Sequence, residues 1–249
     1  MNEDQLRTEA ETILNFFNEE LGMICHGDQV LMPGPYVDGF RIIPWMRENN
    51  LSWREVEWAG FFVRQVAQIH FQEHPELGIV PFTQGKLYRL RGKFLWDIRL
   101  HAESKIIVIL TDAASFERDI FDNNGLGIII LHAEFEPDDD GSFRQFITEL
   151  KGGESDYEAR RRAEGAPIRT RKKGFFLWWG QAIFITPDDI NDYGTQSWLC
   201  GNFQVNMRNS DDRPRNAKYF LNLDDLPPGK EILRMNFNLD PTDYGEYFE

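Results

Sequence analysis

The apolar pattern changes period once along this chain, and that change constrains the fold more than any other feature. Before residue 75 the apolar residues recur at helical spacing. Leu6, Ala10, Ile13, Leu14, Phe17 and Leu21 fall on one face of a helix over residues 3–21, and Gly22 is suited to end it. Residues 23–45 read as irregular, with Pro33-Gly34-Pro35 and Asp38-Gly39 as turn signals. Ser52 and Glu55 have capping-box spacing. The helix they would open, 52–73, carries Val56, Phe61, Phe62, Val63, Val66, Ala67 and Ile69 and stops before Pro75. Its apolar residues exceed a single stripe, so it reads as a core element.

From residue 86 onward strand patterns dominate. The expected strands are 86–91, 94–100, 105–111, 126–136, 143–150, 174–186, 198–207, 217–222 and 232–238, with a short helix beginning at Ala113. Segments 126–136 and 143–150 read as a hairpin, because the run Pro137–Ser142 between them is rich in turn-tolerant residues. Helices first and then a mixed, mostly antiparallel sheet is an α+β order. The expectation is one domain over 1–249, with a helical part at 1–75 and a sheet-rich part at 86–240.

Composition removes several classes. Hydrophobic residues make up 41% of the chain, and 20 Phe and 7 Trp argue against disorder. No run of 18 apolar residues occurs, so no membrane-spanning helix is expected. Met1-Asn2-Glu3-Asp4 is acidic and polar, unlike a secretory leader. Cys25 and Cys200 are too few for a disulfide framework or a metal quartet, and a cytoplasmic location is the expectation.

The net charge of −14 is not the footprint of a protein that coats nucleic acid. The charge is uneven, however. Residues 1–50 and 219–249 are acidic, whereas three internal segments are basic. The first is Lys86, Arg89, Arg91, Lys93 and Arg99. The second is Arg160, Arg161, Arg162, Arg169, Arg171, Lys172 and Lys173. The third is Arg208, Arg213, Arg215 and Lys218. These are either solvated faces or the lining of a cleft that holds a polyanion.

Glu149 and Lys151 carry the most pointed chemistry. Two apart on a strand, they would face the same side. In the expected hairpin Glu134 lies diagonally opposite Glu149, with Asp138 upstream. Such carboxylates can hold a hard divalent cation, and a neighbouring lysine can position an attacking water.

Pro137-Asp138 … Glu149-Leu150-Lys151, continued by Gly152-Gly153 and Asp156, resembles the PD-(D/E)xK nuclease superfamily, and in particular type II restriction endonucleases. The likeness covers residues 126–156. It implies a restriction-endonuclease-like sheet and a sequence-specific, metal-dependent DNA endonuclease that works as a homodimer on double-stranded DNA. Glu149 and either Asp138 or Glu134 would ligate Mg²⁺, with Asp119 and Asp122 as further alternatives, and Lys151 would position water. Arg160, Arg161, Arg162, Arg169, Arg171 and Lys172 would contact phosphates. Arg208, Asn209 and Arg213 suit base edges.

Other signals are weaker. His70 and His74 have metal-sharing helical spacing but lack an accompanying Glu at the second position. His101-Ala102-Glu103 and His132-Ala133-Glu134 share the lettering of the zinc-deaminase triplet, but no Pro-Cys-x-x-Cys accompanies them. Trp178-Trp179 reads as core or sheet surface. The competing functional reading is a noncatalytic acidic α+β binding protein, of immunity or inhibitor type, whose acidity meets a basic partner.

Overall fold

The computed structural model describes residues 2–20, 25–26, 29–30, 36–84, 87–154, 156–165, 170–191, 197–208 and 213–237. In chain order the first elements are α1 (Glu3–Asn15), β1 (Cys25–His26), β2 (Gln29–Val30), β3 (Tyr36–Asp38), α2 (Gly39–Glu48) and α3 (Trp58–Glu73). Next come β4 (Val80–Gln84), β5 (Leu87–Arg91), β6 (Leu95–Ala102), β7 (Ile107–Asp112), α4 (Ala113–Asp122), β8 (Leu126–Pro137) and α5 (Ser142–Lys151). The last are α6 (Asp156–Ala163), β9 (Lys172–Ile185), α7 (Pro187–Asn191), β10 (Leu199–Phe203), β11 (Lys218–Asn222) and β12 (Glu231–Asn236). The fold is α+β, with N-terminal helices followed by a mixed, mostly antiparallel sheet.

Seven strands form the main sheet in the order β12-β9-β8-β6-β5-β4, and β3 also pairs with β9. Only β6 and β8 run parallel, and the remaining pairs are antiparallel. A three-stranded sheet, β10-β11-β7, lies beside it. Leu126 through Ala133 of β8 are buried without interruption, as a strand covered on both faces requires.

One face of the main sheet packs against α1, α2, α3 and α5 through Trp96, Ile98, Leu131, Phe175 and Phe184. The other face packs Ile128, Ile130 and Ile183 against β7, β11 and α4, with Tyr219 and Phe116 between them. Each fully buried Ile or Phe side chain removes apolar area worth about 1.5–3 kcal/mol. Glu9 ties α1 to the sheet. Its carboxylate accepts from Lys93 N at 2.8 Å, Phe94 N at 3.2 Å and Trp96 Nε1 at 2.9 Å. Buried polar groups are satisfied in this way.

Three departures from the sequence reading reshape the helical layer against the main sheet. Residues 39–48 are helical, because Asp38 caps the segment by accepting from Phe40 N at 2.9 Å and Ile42, Ile43 and Met46 bury against the core. Pro33-Gly34-Pro35 lie outside the described residues. The second helix begins at Trp58 rather than Ser52, and its N-terminus has no side-chain cap. Ser52 N instead donates to Gln65 Oε1 at 3.0 Å. Helix 58–73 is a core element, with Phe62 fully buried.

The third difference bears on function. Residues 142–151 form helix α5, not the return strand of a hairpin. Phe143, Phe146, Ile147 and Leu150 have i, i+3, i+4, i+7 spacing, and Phe143 and Ile147 are buried against the helical layer. Asp138 turns the chain by accepting from Phe143 N at 2.9 Å and Arg144 N at 2.8 Å. The antiparallel partner of β8 is β9, from Leu126↔Ile185 to Pro137↔Lys172.

Candidate functional site

Helix geometry separates the nuclease-like residues. Two residues apart on a helix is about 200° of rotation, so Glu149 and Lys151 point to different sides of α5. Glu149 accepts from Gln145 Nε2 at 2.9 Å. Lys151 Nζ donates to Arg54 O at 2.9 Å, and burial followed by the Arg171 charge lowers its pKa. Asp138 is buried at the opposite end of the helix, where the rise from Phe143 to Glu149 is about 9 Å. Glu134 is exposed on β8. Asp119 is buried in an ion pair with Arg89, and Asp122 ends α4. Among the described residues no three His, Cys, Asp or Glu side chains gather closely enough to hold a metal ion.

The basic residues fall into different settings. Arg160, Arg161 and Arg162 occupy the last turn of α6, where Arg162 pairs with Glu154 at 2.8 Å. Arg171 is buried and pairs with Glu158 at 3.0 Å. Lys172 lies over the Phe135 ring, 3.4 Å from its centroid. Arg208 bridges to Pro214, and Arg213 is exposed. Arg169 and Asn209 lie outside the described residues. At the C-terminal end of α5, Glu149 and Lys151 border an open pocket of about 600 Å³ together with Arg47 and Arg54.

A second constellation is assembled by strand register. Parallel pairing sets His101 beside His132, so the two His-Ala-Glu triplets run in step. Antiparallel pairing adds Trp179, then Asn236, to the same row. The adjoining row is Arg99, Ile130, Gln181 and Arg234. These residues continue the sheet face whose other end carries Ile128 and Ile183.

His132 is buried, and its ring lies on Trp179 with centroids 3.5 Å apart. Arg234 covers the Trp179 ring at 4.5 Å. Glu103 Oε2 accepts from Trp179 Nε1 at 2.8 Å and lies 3.4 Å from His132 Nδ1. Gln181 Nε2 is 2.9 Å from His132 Nε2. Burial, then His101, then Arg234 push the His132 pKa down to about 3. The ring is therefore neutral, so its 3.4 Å approach to Glu103 is not an ion pair.

Beyond this row the sheet face turns aromatic and acidic. A bulge between His132 and Ala133 leaves Trp178 as the extra residue on β9. The bulge breaks the two-residue alternation, and neither Trp178 nor Trp179 enters the core, Trp178 being 39% exposed. Phe176 stacks near Trp178 with centroids 6.3 Å apart and meets Tyr36 at 4.7 Å. Glu134 is in register with Phe176, which pairs with Tyr36. Glu136 pairs with Gly174, which pairs with Asp38. A Cβ on Gly174 would meet Tyr36 Oη at 2.2 Å, so the tyrosine lies directly over that backbone and donates its hydroxyl to Glu136. Burial, and then that carboxylate, raise the Tyr36 pKa. Glu103 N donates to Ala133 O at 2.9 Å, placing a further exposed carboxylate beside Glu134.

Sequence reasoning missed this surface. The paired triplets and the adjacent tryptophans were its only local traces, and the register that joins them is not written in either segment. No family model, no curated protein and no solved structure matches the chain.

Proposed function

We propose that the protein is a noncatalytic binding protein whose aromatic, acidic sheet face meets a basic partner. The observation that carries this reading is the row Tyr36–Phe176, continued by Trp178 and edged by Glu103, Glu134 and Glu136. Trp178, the exposed ring of this row, can bind guanidinium and ammonium groups through its face, and tryptophan is frequent at interface hot spots. Glu134 supplies complementary charge, beside Glu103, which accepts from Trp179, and Glu136, which pairs with Lys173 at 2.9 Å, and the net charge of −14 steers a basic partner toward the protein. The experiment is calorimetric titration with an arginine-rich peptide and with its glutamate-substituted counterpart. The arginine peptide should bind, weaken as salt rises, and lose about tenfold or more with Trp178→Ala. Equal behaviour of the two peptides overturns the reading.

A metal-dependent DNA endonuclease is the second reading. It is favoured by Arg47, Arg54 and Lys151 around the pocket at the end of α5, where a phosphate would find cationic donors. Asp138, Glu134 and Glu149 do not fit a shared Mg²⁺ site as they stand, so no catalytic step is derived from them. Incubation with mixed genomic DNA, with and without Mg²⁺, tests it. Discrete metal-dependent fragments support this reading, and intact DNA in both arms removes it.

A further inference from the structure

The pocket at the C-terminal end of α5 gathers cations from three separate stretches of chain. Arg47 lies in the last turn of α2, Arg54 in the connection from α2 to α3, and Lys151 is the last residue of α5. Direct contacts fix their proximity. The Arg47 and Arg54 guanidiniums both lie over the buried Trp53 ring, 5.8 and 5.1 Å from its centroid. Lys151 Nζ donates to Arg54 O at 2.9 Å, which leaves its ammonium further N–H donors to spend. All three line one open pocket of about 600 Å³, an ordinary volume for a small-molecule site.

The charge of this pocket is unbalanced. Glu149 is the one carboxylate side chain in its lining, and Glu149 Oε1 accepts from Gln145 Nε2. Among the described residues neither Glu149 nor any other carboxylate forms an ion pair with Arg47, Arg54 or Lys151. Burial and then Arg171 lower the Lys151 pKa against the opposing pull of Glu158 and Glu55, and Glu158 is itself held by Arg171 at 3.0 Å. Cations belong near helix C-termini, which accounts for Arg47 and Lys151 one at a time. It does not account for Arg54, which lies on neither helix, or for the apolar wall beside the cations. Phe146 and Leu150 form that wall, and Phe40 and Phe143 pack on the Phe146 ring with centroids 5.1 and 6.0 Å away.

We infer that this pocket binds a small phosphate monoester, with its phosphate among Arg47, Arg54 and Lys151 and its apolar group on Phe146 and Leu150. Three cations less one carboxylate leave two positive charges, which match the charge of about −1.5 to −2 on a phosphate monoester near neutral pH. Guanidinium groups take phosphate oxygens in pairs, and packing on Trp53 orders both of them before any ligand arrives. The inference rests on the pocket itself. It shares no residue with the aromatic face, and it requires neither DNA nor a metal.

Calorimetric titration of the full chain with phenyl phosphate tests the site. The wild type should bind it more tightly than inorganic phosphate, because the ring gains contact with Phe146 and Leu150, and more tightly than singly charged benzoate. Arg47→Gln and Arg54→Gln should each weaken binding roughly tenfold, the size of one lost charge-assisted hydrogen bond. Both changes uncover part of Trp53, so near-UV circular dichroism and thermal midpoints check that the variants fold. Glu149→Gln, at an exposed side chain away from Trp53, removes the pocket's carboxylate and should tighten binding. The arginine-rich peptide and phenyl phosphate are titrated separately and read different residues, so this proposal and the basic-partner reading can fail independently. No heat at millimolar phenyl phosphate, wild-type affinity in both folded arginine variants, or weaker binding by Glu149→Gln overturns the proposal. Inorganic phosphate binding as tightly as phenyl phosphate overturns the assignment to a monoester. Binding of a short DNA duplex by a wild type that has no affinity for phenyl phosphate overturns the proposal in favour of a nucleic-acid surface.

Discussion

His132 lies flat on Trp179, with ring centroids 3.5 Å apart and planes 6° from parallel, while Arg234 covers the opposite face of the indole. A protonated His132 would place cations on both sides of one ring in a buried setting, so the fold holds the imidazole neutral. Its pKa in the native state is about 3, against 6.5 for a solvated imidazole, so neutral His132 stabilises the fold fully above pH 6.5. That contribution is lost as the pH falls from 6.5 toward 3. Between pH 7 and 4.5 it amounts to about 2–3 kcal/mol. Urea midpoints across this window should fall more steeply for the wild type than for His132→Asn, and parallel slopes would show that His132 is not the titrating group.

Asp138 has a structural role at the start of α5. Removing its two backbone hydrogen bonds by Asp138→Ala should cost about 1–2 kcal/mol, as losing a helix cap does. Glu149→Ala, at an exposed hydrogen bond, should stay within about 0.5 kcal/mol. Thermal denaturation of the two variants compares them directly, and equal small losses would contradict the capping geometry.

Arg89 and Asp119 form an ion pair sealed between β5 and α4, with the Arg89 side chain wholly inaccessible. Burial, opposed by Arg89, raises the Asp119 pKa. Asp119→Ala strands the guanidinium and should destabilise by about 3–5 kcal/mol. The double change Arg89→Met/Asp119→Leu should recover much of that loss, because it removes both desolvation costs. Chemical denaturation of the single and double variants measures the difference, and a double variant no better than the single one would refute the argument.

Gly127 sits where β8 passes beneath Trp96, and a Cβ there would meet the indole at 2.2 Å. Trp96 cannot swing away without losing its hydrogen bond to Glu9. Gly127→Ala should therefore cost about 1–3 kcal/mol through overpacking. Trp96→Phe in the same chain should relieve part of the strain, and denaturation midpoints for the pair check it.

Much of the secondary structure was legible because local pattern and burial agree there. The stripe Leu6, Ala10, Ile13, Leu14 folds into α1, and the apolar run at 126–133 becomes the most buried strand. Residues 143–150 misled for a physical reason. Phe143-Arg144-Gln145-Phe146-Ile147 offers both a helical stripe and enough β-forming residues for a strand, and turn residues precede it in either case. What decides between them is the Asp138 carboxylate on the first amides and the apolar layer that receives Phe143 and Ile147. The Glu149/Lys151 pair consequently changed its geometry, from neighbours on one face to residues on different sides of a helix.

By itself the sequence determined a largely helical N-terminal part followed by a strand-rich remainder, the aromatic-rich core, the acidic balance and the three basic segments. Those properties are sums over residues or short periodicities, and they need no knowledge of what lies across the sheet. Only the tertiary structure set His101 beside His132, laid Trp179 on His132, and lined Phe176 up with Glu134 and Tyr36. Each of these relationships joins segments far apart in the chain. Their formation depends on strand register and layer packing, where the burial of one apolar face selects which distant polar residues become neighbours on the other.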